Sequence, residues 1–161
     1  MRRQIHRRAG FTLVELVIAV LIMAILMMLA VPSLEGVLAD RRLRRTLDGF
    51  NKIVREAQER SIAERRAYLI VWFDGKVGLR AEGLERDEPP EPMVKMTLAR
   101  NESLKVSFPA ALMEDPPPQW IFWPSGNCEP AVVSYQGKNG KWTSSYSALT
   151  ARGDIVAYVA K

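Results

Sequence analysis

The sequence predicts an α+β protein, in which a long N-terminal helix, membrane-spanning in its first half and amphipathic in its second, packs on an antiparallel all-β C-terminal domain. Three observations carry this. Between residues 11 and 31 the only polar side chains are Thr12 and Glu15; apolar residues then recur at helical spacing; beyond Arg66, β-branched and aromatic runs alternate with turn residues. The resulting organisation is a basic leader over 1–10, a transmembrane helix over 11–31, an amphipathic helix over 32–66 and a β-rich domain over 67–161.

The apolar run comes first. At about 1.5 Å per residue it reaches about 30 Å, the thickness of a bilayer's hydrocarbon core. An ionised carboxylate in lipid costs on the order of 2.5 kcal/mol or more, so Glu15 calls for a partner. Its plainer reading is a polar residue at a helix start that snorkels to the headgroups. Arg2, Arg3, Arg7 and Arg8 precede the run and favour an N-inside topology, with the domain outside the cytoplasm; Arg41, Arg42, Arg44 and Arg45 beyond it argue the other way. A secretory signal would place a small-residue cleavage site after the apolar stretch, where P-S-L-E-G-V-L-A-D is a poor match. The small-residue junction Ala9-Gly10 precedes the stretch, so a cut there removes the charges and keeps the helix.

After Pro32, apolar residues at Leu43, Leu47, Phe50, Val54 and Ala57 mark one helix face, and the helix is expected to continue to about Glu64. Pro32 removes one backbone donor and predicts a kink rather than an end. The cluster R-R-L-R-R around Leu43 reads as a solvated face beside Asp40 and Asp48, against the alternative of an anionic-lipid or nucleic-acid patch.

The β elements follow. Y-L-I-V-W-F over 68–73 is a strand, and Asp74-Gly75 turns it into K-V-G-L-R. The acidic, proline-bearing stretch 85–92 is an exposed connection, and a second loop runs through 116–118. Further strands are expected over 94–98, 104–108, 120–123, 131–136, 142–149 and 155–159. No internal repeat is present.

The tract R-R-A-G-F-T-L-V-E-L resembles the processing signal of type IV pilins and type II secretion pseudopilins, with Gly10 before the cut, Phe11 after it and Glu15 five residues into the mature chain. Pro32 falls where many of these proteins carry a helix-kinking proline. I-F-W-P-S-G, with Phe122, Pro124 and Gly126 spaced as F-x-P-x-G, is similar to a motif of the GspH/FimT group, the H-type minor pseudopilins and their minor-pilin relatives. The resemblance covers the first third of the chain closely and the remainder loosely. It implies a pilin-like fold, cleavage between Gly10 and Phe11 by a prepilin peptidase, and N-methylation of Phe11. It also supplies a partner for Glu15. The Phe11 amine, with an unperturbed pKa near 8, is mostly charged at neutral pH and can approach Glu15 of a neighbouring subunit. Desolvation takes back much of that attraction, so the pair sets register and recruitment more than stability.

Catalytic chemistry is not indicated. His6, the only histidine, lies in the leader; a mature chain without histidine and with only Cys128 lacks the usual zinc ligand sets and imidazole triads. No metal or cofactor is expected. Cys128 reads as a small, semi-buried residue. G-K-N-G-K over 137–141 departs from a phosphate-binding loop at Tyr135 and Trp142 and reads as a hairpin turn. The carboxylates Glu114 and Asp115, and Glu82 and Glu85, read as solvated loop residues. A formal net charge of +5 is concentrated in the leader and says little about nucleic acid.

Three functions compete. The resemblance implies a minor pseudopilin at or near the tip of the periplasmic filament of a type II secretion system. Its partners would be other pseudopilins or pilins through their N-terminal helices, the prepilin peptidase and an inner-membrane assembly platform. Localisation would be the bacterial inner membrane, single-pass, with the domain in the periplasm. The alternative is a minor type IV pilin that primes pilus assembly. A third reading is DNA capture through Lys138, Lys141 and Arg152 beside Trp142 and Tyr146, against the plainer reading of turn lysines and core-facing aromatics.

Overall fold

The computed structural model describes residues 12–83, 91–109 and 119–161; within the helix, the side chains of 29–35 lie outside that description. Helix α1 runs Leu13–Ala63 and includes Pro32. The kink predicted at Pro32 falls among the side chains outside the described residues. The chain divides into two compact units, one ending at Val37 and one starting at Leu38.

In the second unit the five apolar positions of the predicted helix face, Leu43, Leu47, Phe50, Val54 and Ala57, are all buried. They are joined by Ile53, one step off the same face. Two four-stranded antiparallel sheets complete the core. The first contains β1 (Tyr68–Phe73), β2 (Lys76–Ala81), β3 (Met93–Thr97) and β5 (Gln119–Phe122), in the order β3-β2-β1-β5. The second contains β4 (Ser103–Ser107), β6 (Ala131–Gly137), β7 (Gly140–Tyr146) and β8 (Gly153–Ala160), in the order β4-β6-β7-β8.

Alternation in β7 shows how pattern becomes packing. Trp142, Ser144 and Tyr146 are buried while Lys141 is exposed, the period-2 signature of a half-buried strand. Phe50 meets Trp72 of the first sheet at 6.3 Å between ring centroids, and Trp142 and Tyr146 of the second at 6.0 and 5.9 Å. Trp120 closes on Tyr146 at 5.0 Å. Helix and both sheets therefore share one aromatic cluster, with rings in the tilted and edge-on geometries their quadrupoles favour.

Asp74 and Gly75 both have positive φ, 44° and 68°, as a tight primed hairpin turn requires between the paired Phe73 and Lys76. The predicted strand over 142–149 is corrected. It starts earlier, at Gly140, because Gly137 and Gly140 pair across a two-residue turn. It ends earlier, at Tyr146, because the Ser147 carbonyl accepts the Ala151 N–H at 2.9 Å and closes a turn in which Ala151 takes φ 51°. The strand expected over 155–159 extends to Gly153–Ala160. At β5, Trp123 leaves the ladder because β1 begins opposite Phe122, and its N–H instead donates to the Asn127 carbonyl at 2.9 Å. The connections expected over 85–92 and around 116–118 lie largely outside the described residues.

Candidate processing and assembly site

Gly10 and Phe11 lie outside the described residues, so the site begins at Thr12. Thr12 immediately precedes α1, and its hydroxyl accepts the backbone N–H of Glu15 at 3.3 Å while its carbonyl accepts that of Leu16 at the same distance. Thr12 is thus the N-cap, and T-x-x-E is the spacing of a capping box. Glu15 sits in the first turn, where the helix dipole favours a negative charge. The sequence signal for this cap is the T-x-x-E spacing itself, which a reading concerned with the apolar run passes over.

From 13 to 28 no large apolar side chain is less than 50% exposed. A helix apolar on every side needs lipid or protein around it. Among the described residues no helix is long and apolar enough to cross a membrane. The span expected over 11–31 includes Phe11 and the side chains of 29–31, which lie outside the described residues.

The F-x-P-x-G residues build a fastening between strand and helix. Phe122, fully buried at the end of β5, packs tilted on Trp120 with ring centroids 4.8 Å apart and bridges Cys128. Trp123 to Gly126 form a turn with Pro124 at its second position, closed by the Gly126 N–H on the Trp123 carbonyl at 2.9 Å. Gly126 has φ 86°, and a Cβ there would stand 3.0 Å from the Ile62 Cδ1 of the helix. The Gln58 amide donates to the Gly126 carbonyl at 2.6 Å. Proline sets the turn, glycine permits its close approach, and Gln58 ties it to α1. Nothing in the sequence pattern announces Gln58, whose partner is 68 residues away.

Cys128 is buried and its thiol is pushed up to about 11 by burial, which leaves it protonated and unreactive. Lys138, Lys141 and Arg152 are exposed, but the structure sets Arg152 apart from the two lysines, which share the β6–β7 turn end. Lys138 is in the β6–β7 turn and Arg152 in the β7–β8 connection, at opposite ends of a strand about 20 Å long. Trp142 and Tyr146 are 1% and 2% exposed and belong to the core, as the plainer reading has it. The stacking part of the DNA reading is lost.

Residues 5–31 match the prokaryotic N-terminal methylation motif. Over the rest of the chain the likeness lies in structure. The minor pseudopilin EpsH from the type 2 secretion system of Vibrio cholerae superposes with a TM-score of 0.50 at 14% identity, over 71% of this chain and 96% of that one. The type IV minor pilin FimU of Pseudomonas aeruginosa superposes with a TM-score of 0.51 at 17% identity, over 73% and 90%. The N-terminal motif is thus one of N-terminal methylation, and the fold is like those of these two minor subunits. No curated protein sequence matches. The fold likeness rests on the helix with its two antiparallel sheets.

Proposed function

We propose that the protein is a minor, non-enzymatic subunit of a pilus-like filament, anchored in the inner membrane before assembly and processed between Gly10 and Phe11. The observation that carries this is a helix exposed and apolar on every side from 13 to 28, with one carboxylate in its first turn, within a methylation motif. Such a surface is buried outside its own molecule, by lipid before assembly and by neighbouring helices after it. Cleavage exposes the Phe11 amine, and Glu15 receives that of an adjacent subunit as the helices stack. Thr12 fixes the helix start, so the distance from amine to carboxylate is set by a capped turn rather than by a fraying end.

The narrower reading is a minor pseudopilin of a type II secretion system. The likeness to FimU supports a minor type IV pilin equally, since the two TM-scores differ by 0.01. An in-frame deletion scored for exoprotein retention and for surface pili separates them: retained exoproteins with normal pili indicate secretion, lost pili with normal secretion indicate the pilus. The common part is tested by intact mass of the membrane form, which is expected to lack residues 1–10 and to carry one methyl group. Persistence of the leader in cells with active prepilin peptidase overturns it. Glu15→Ala is expected to be cleaved normally yet incorporated poorly.

A further inference from the structure

We propose that the cavity between the β7–β8 turn and helix α1 is an anion site that receives a carboxylate-bearing segment of a partner protein. The cavity, about 370 Å³, is lined from the helix by Asn51, Arg55 and Gln58 and from the turn by Thr150, Arg152 and Gly153. None of these is acidic. The three helix residues stand at i, i+4 and i+7, so they share one face.

Arg55 differs from Arg44 and Arg60 in what lies one turn before it. Arg44 and Arg60 pair with Asp40 and Glu56, each four residues earlier, at 2.9 and 3.0 Å. For Arg55 the residue at that place is Asn51, whose side-chain oxygen is occupied by the Tyr146 hydroxyl at 2.7 Å. Glu59, one turn later, makes no ion pair with it. Neither the Arg55 nor the Arg152 guanidinium has a hydrogen-bond or ion-pair partner among the described residues.

The turn is built to hold Arg152 in place. Ala151 is buried at φ 51°, a conformation that costs a residue with a Cβ on the order of 1 kcal/mol or more and persists only where its surroundings enforce it. They do so here: the Ser147 carbonyl accepts the Ala151 N–H at 2.9 Å, the Arg152 carbonyl accepts the Ser147 N–H at 3.2 Å, and the Thr150 hydroxyl accepts the Arg152 N–H at 3.4 Å. Across the cavity, Gln58 is fixed by its bond to Gly126 and Asn51 by its bond to Tyr146. Two unpaired planar cations over fixed neutral amides suit a carboxylate, which a guanidinium grips through two parallel hydrogen bonds.

A phosphodiester backbone offers the same charge, but the arrangement does not suit a strand of it. Nucleic-acid binding needs cations spread along a track with rings to stack on. Lys138 is at the far end of β7, and Trp142 and Tyr146 are buried. A single, half-open site for one group fits an acidic protein segment better. The site is independent of whether the filament is a pilus or a pseudopilus.

The test uses the full chain in detergent micelles and a fluorescently labelled tetraglutamate peptide at low ionic strength. Binding is expected, with a loss of about tenfold or more in affinity for Arg55→Gln and for Arg152→Gln. Arg41→Gln, which removes an exposed helix charge outside the cavity, is expected to bind as the wild type does. Both cavity arginines are exposed, so the variants are expected to fold, and an unchanged thermal transition checks it. Absence of peptide binding, or an equal loss in Arg41→Gln, overturns the proposal. A single-stranded oligodeoxynucleotide of equal charge is run in parallel. Tighter binding of that probe, lost on Arg152→Gln, would replace the protein partner with nucleic acid and overturn the proposal as stated.

Discussion

Residues 13–28 and residues 38–63 belong to one helix and bury their apolar side chains in opposite ways. The first stretch exposes all of them; the second hides Leu43, Leu47, Phe50, Ile53, Val54 and Ala57 against two sheets and leaves its arginines outside. Helix-forming tendency does not distinguish them, since leucine, methionine and alanine favour helix as much as arginine, lysine and glutamate do. The pattern does. Where apolar residues recur every three or four positions the molecule supplies its own partner, and where they run continuously the partner must be another molecule or a membrane. The folding free energy of the second unit is therefore expected to be insensitive to the first stretch, while assembly depends on it.

The sharpest way to break this comparison is to truncate one apolar side chain in each stretch. Phe50 is fully buried among Trp72, Trp142 and Tyr146, so Phe50→Ala is expected to destabilise the second unit by about 3–5 kcal/mol. Leu21→Ala, at a position 59% exposed, is expected to change it by less than about 0.5 kcal/mol. Denaturant unfolding followed by tryptophan fluorescence measures both, and equal losses would mean that the first stretch is part of the same core.

A backbone contact gives the next largest effect. A Cβ on Gly140, which has φ 134°, would stand 2.1 Å from the Val159 carbonyl oxygen of β8. Gly140→Ala is expected to cost about 2–4 kcal/mol and to release β8, an edge strand, before the rest of the sheet. Hydrogen exchange at 153–160 should accelerate ahead of exchange in β6. Gly126→Ala strains a turn of φ 86° against a flexible isoleucine end and is expected to cost less, about 1–2 kcal/mol, by the same unfolding measurement.

These positions also show how much of the molecule was legible in its sequence. The helix face, the Asp74-Gly75 hairpin and most strands could be read because each is decided by neighbours within a few residues. The strand expected over 142–149 ends three residues early because its end depends on Ala151 adopting a left-handed conformation, which alanine does not advertise. F-x-P-x-G could be recognised as a motif, but its physical work, docking a turn against Gln58 and Ile62, depends on a contact distant in sequence. Lys138, Lys141 and Arg152 are close in sequence, but hairpin geometry puts most of a strand between the two lysines and Arg152. The cavity of Arg55 and Arg152 was not legible at all, since its two halves come from a helix and a turn almost a hundred residues apart.

Charge offers the smallest test of what holds the second stretch in place. Glu56 on α1 accepts from Lys95 of β3 at 2.7 Å and pairs with Arg60 at 3.0 Å, linking the helix to the first sheet. Burial pushes its carboxyl up, but Lys95 and Arg60 outweigh that and hold it below its ordinary value of 4.5. A carboxylate whose pKa is lower in the folded state than in the unfolded one contributes stability above the unfolded value, and loses it as pH falls through the folded one. Its contribution is therefore complete at neutral pH and declines below about 4.5. The Glu56→Gln variant keeps an acceptor for Lys95 but loses the charge. It is expected to be about 0.5–1 kcal/mol less stable at pH 7, with the deficit vanishing in acid as the wild type protonates. Urea unfolding of both proteins across that range decides the matter: a deficit that persists undiminished in acid would mean that Glu56 acts through shape rather than charge, and that the helix is held to the first sheet by apolar packing alone.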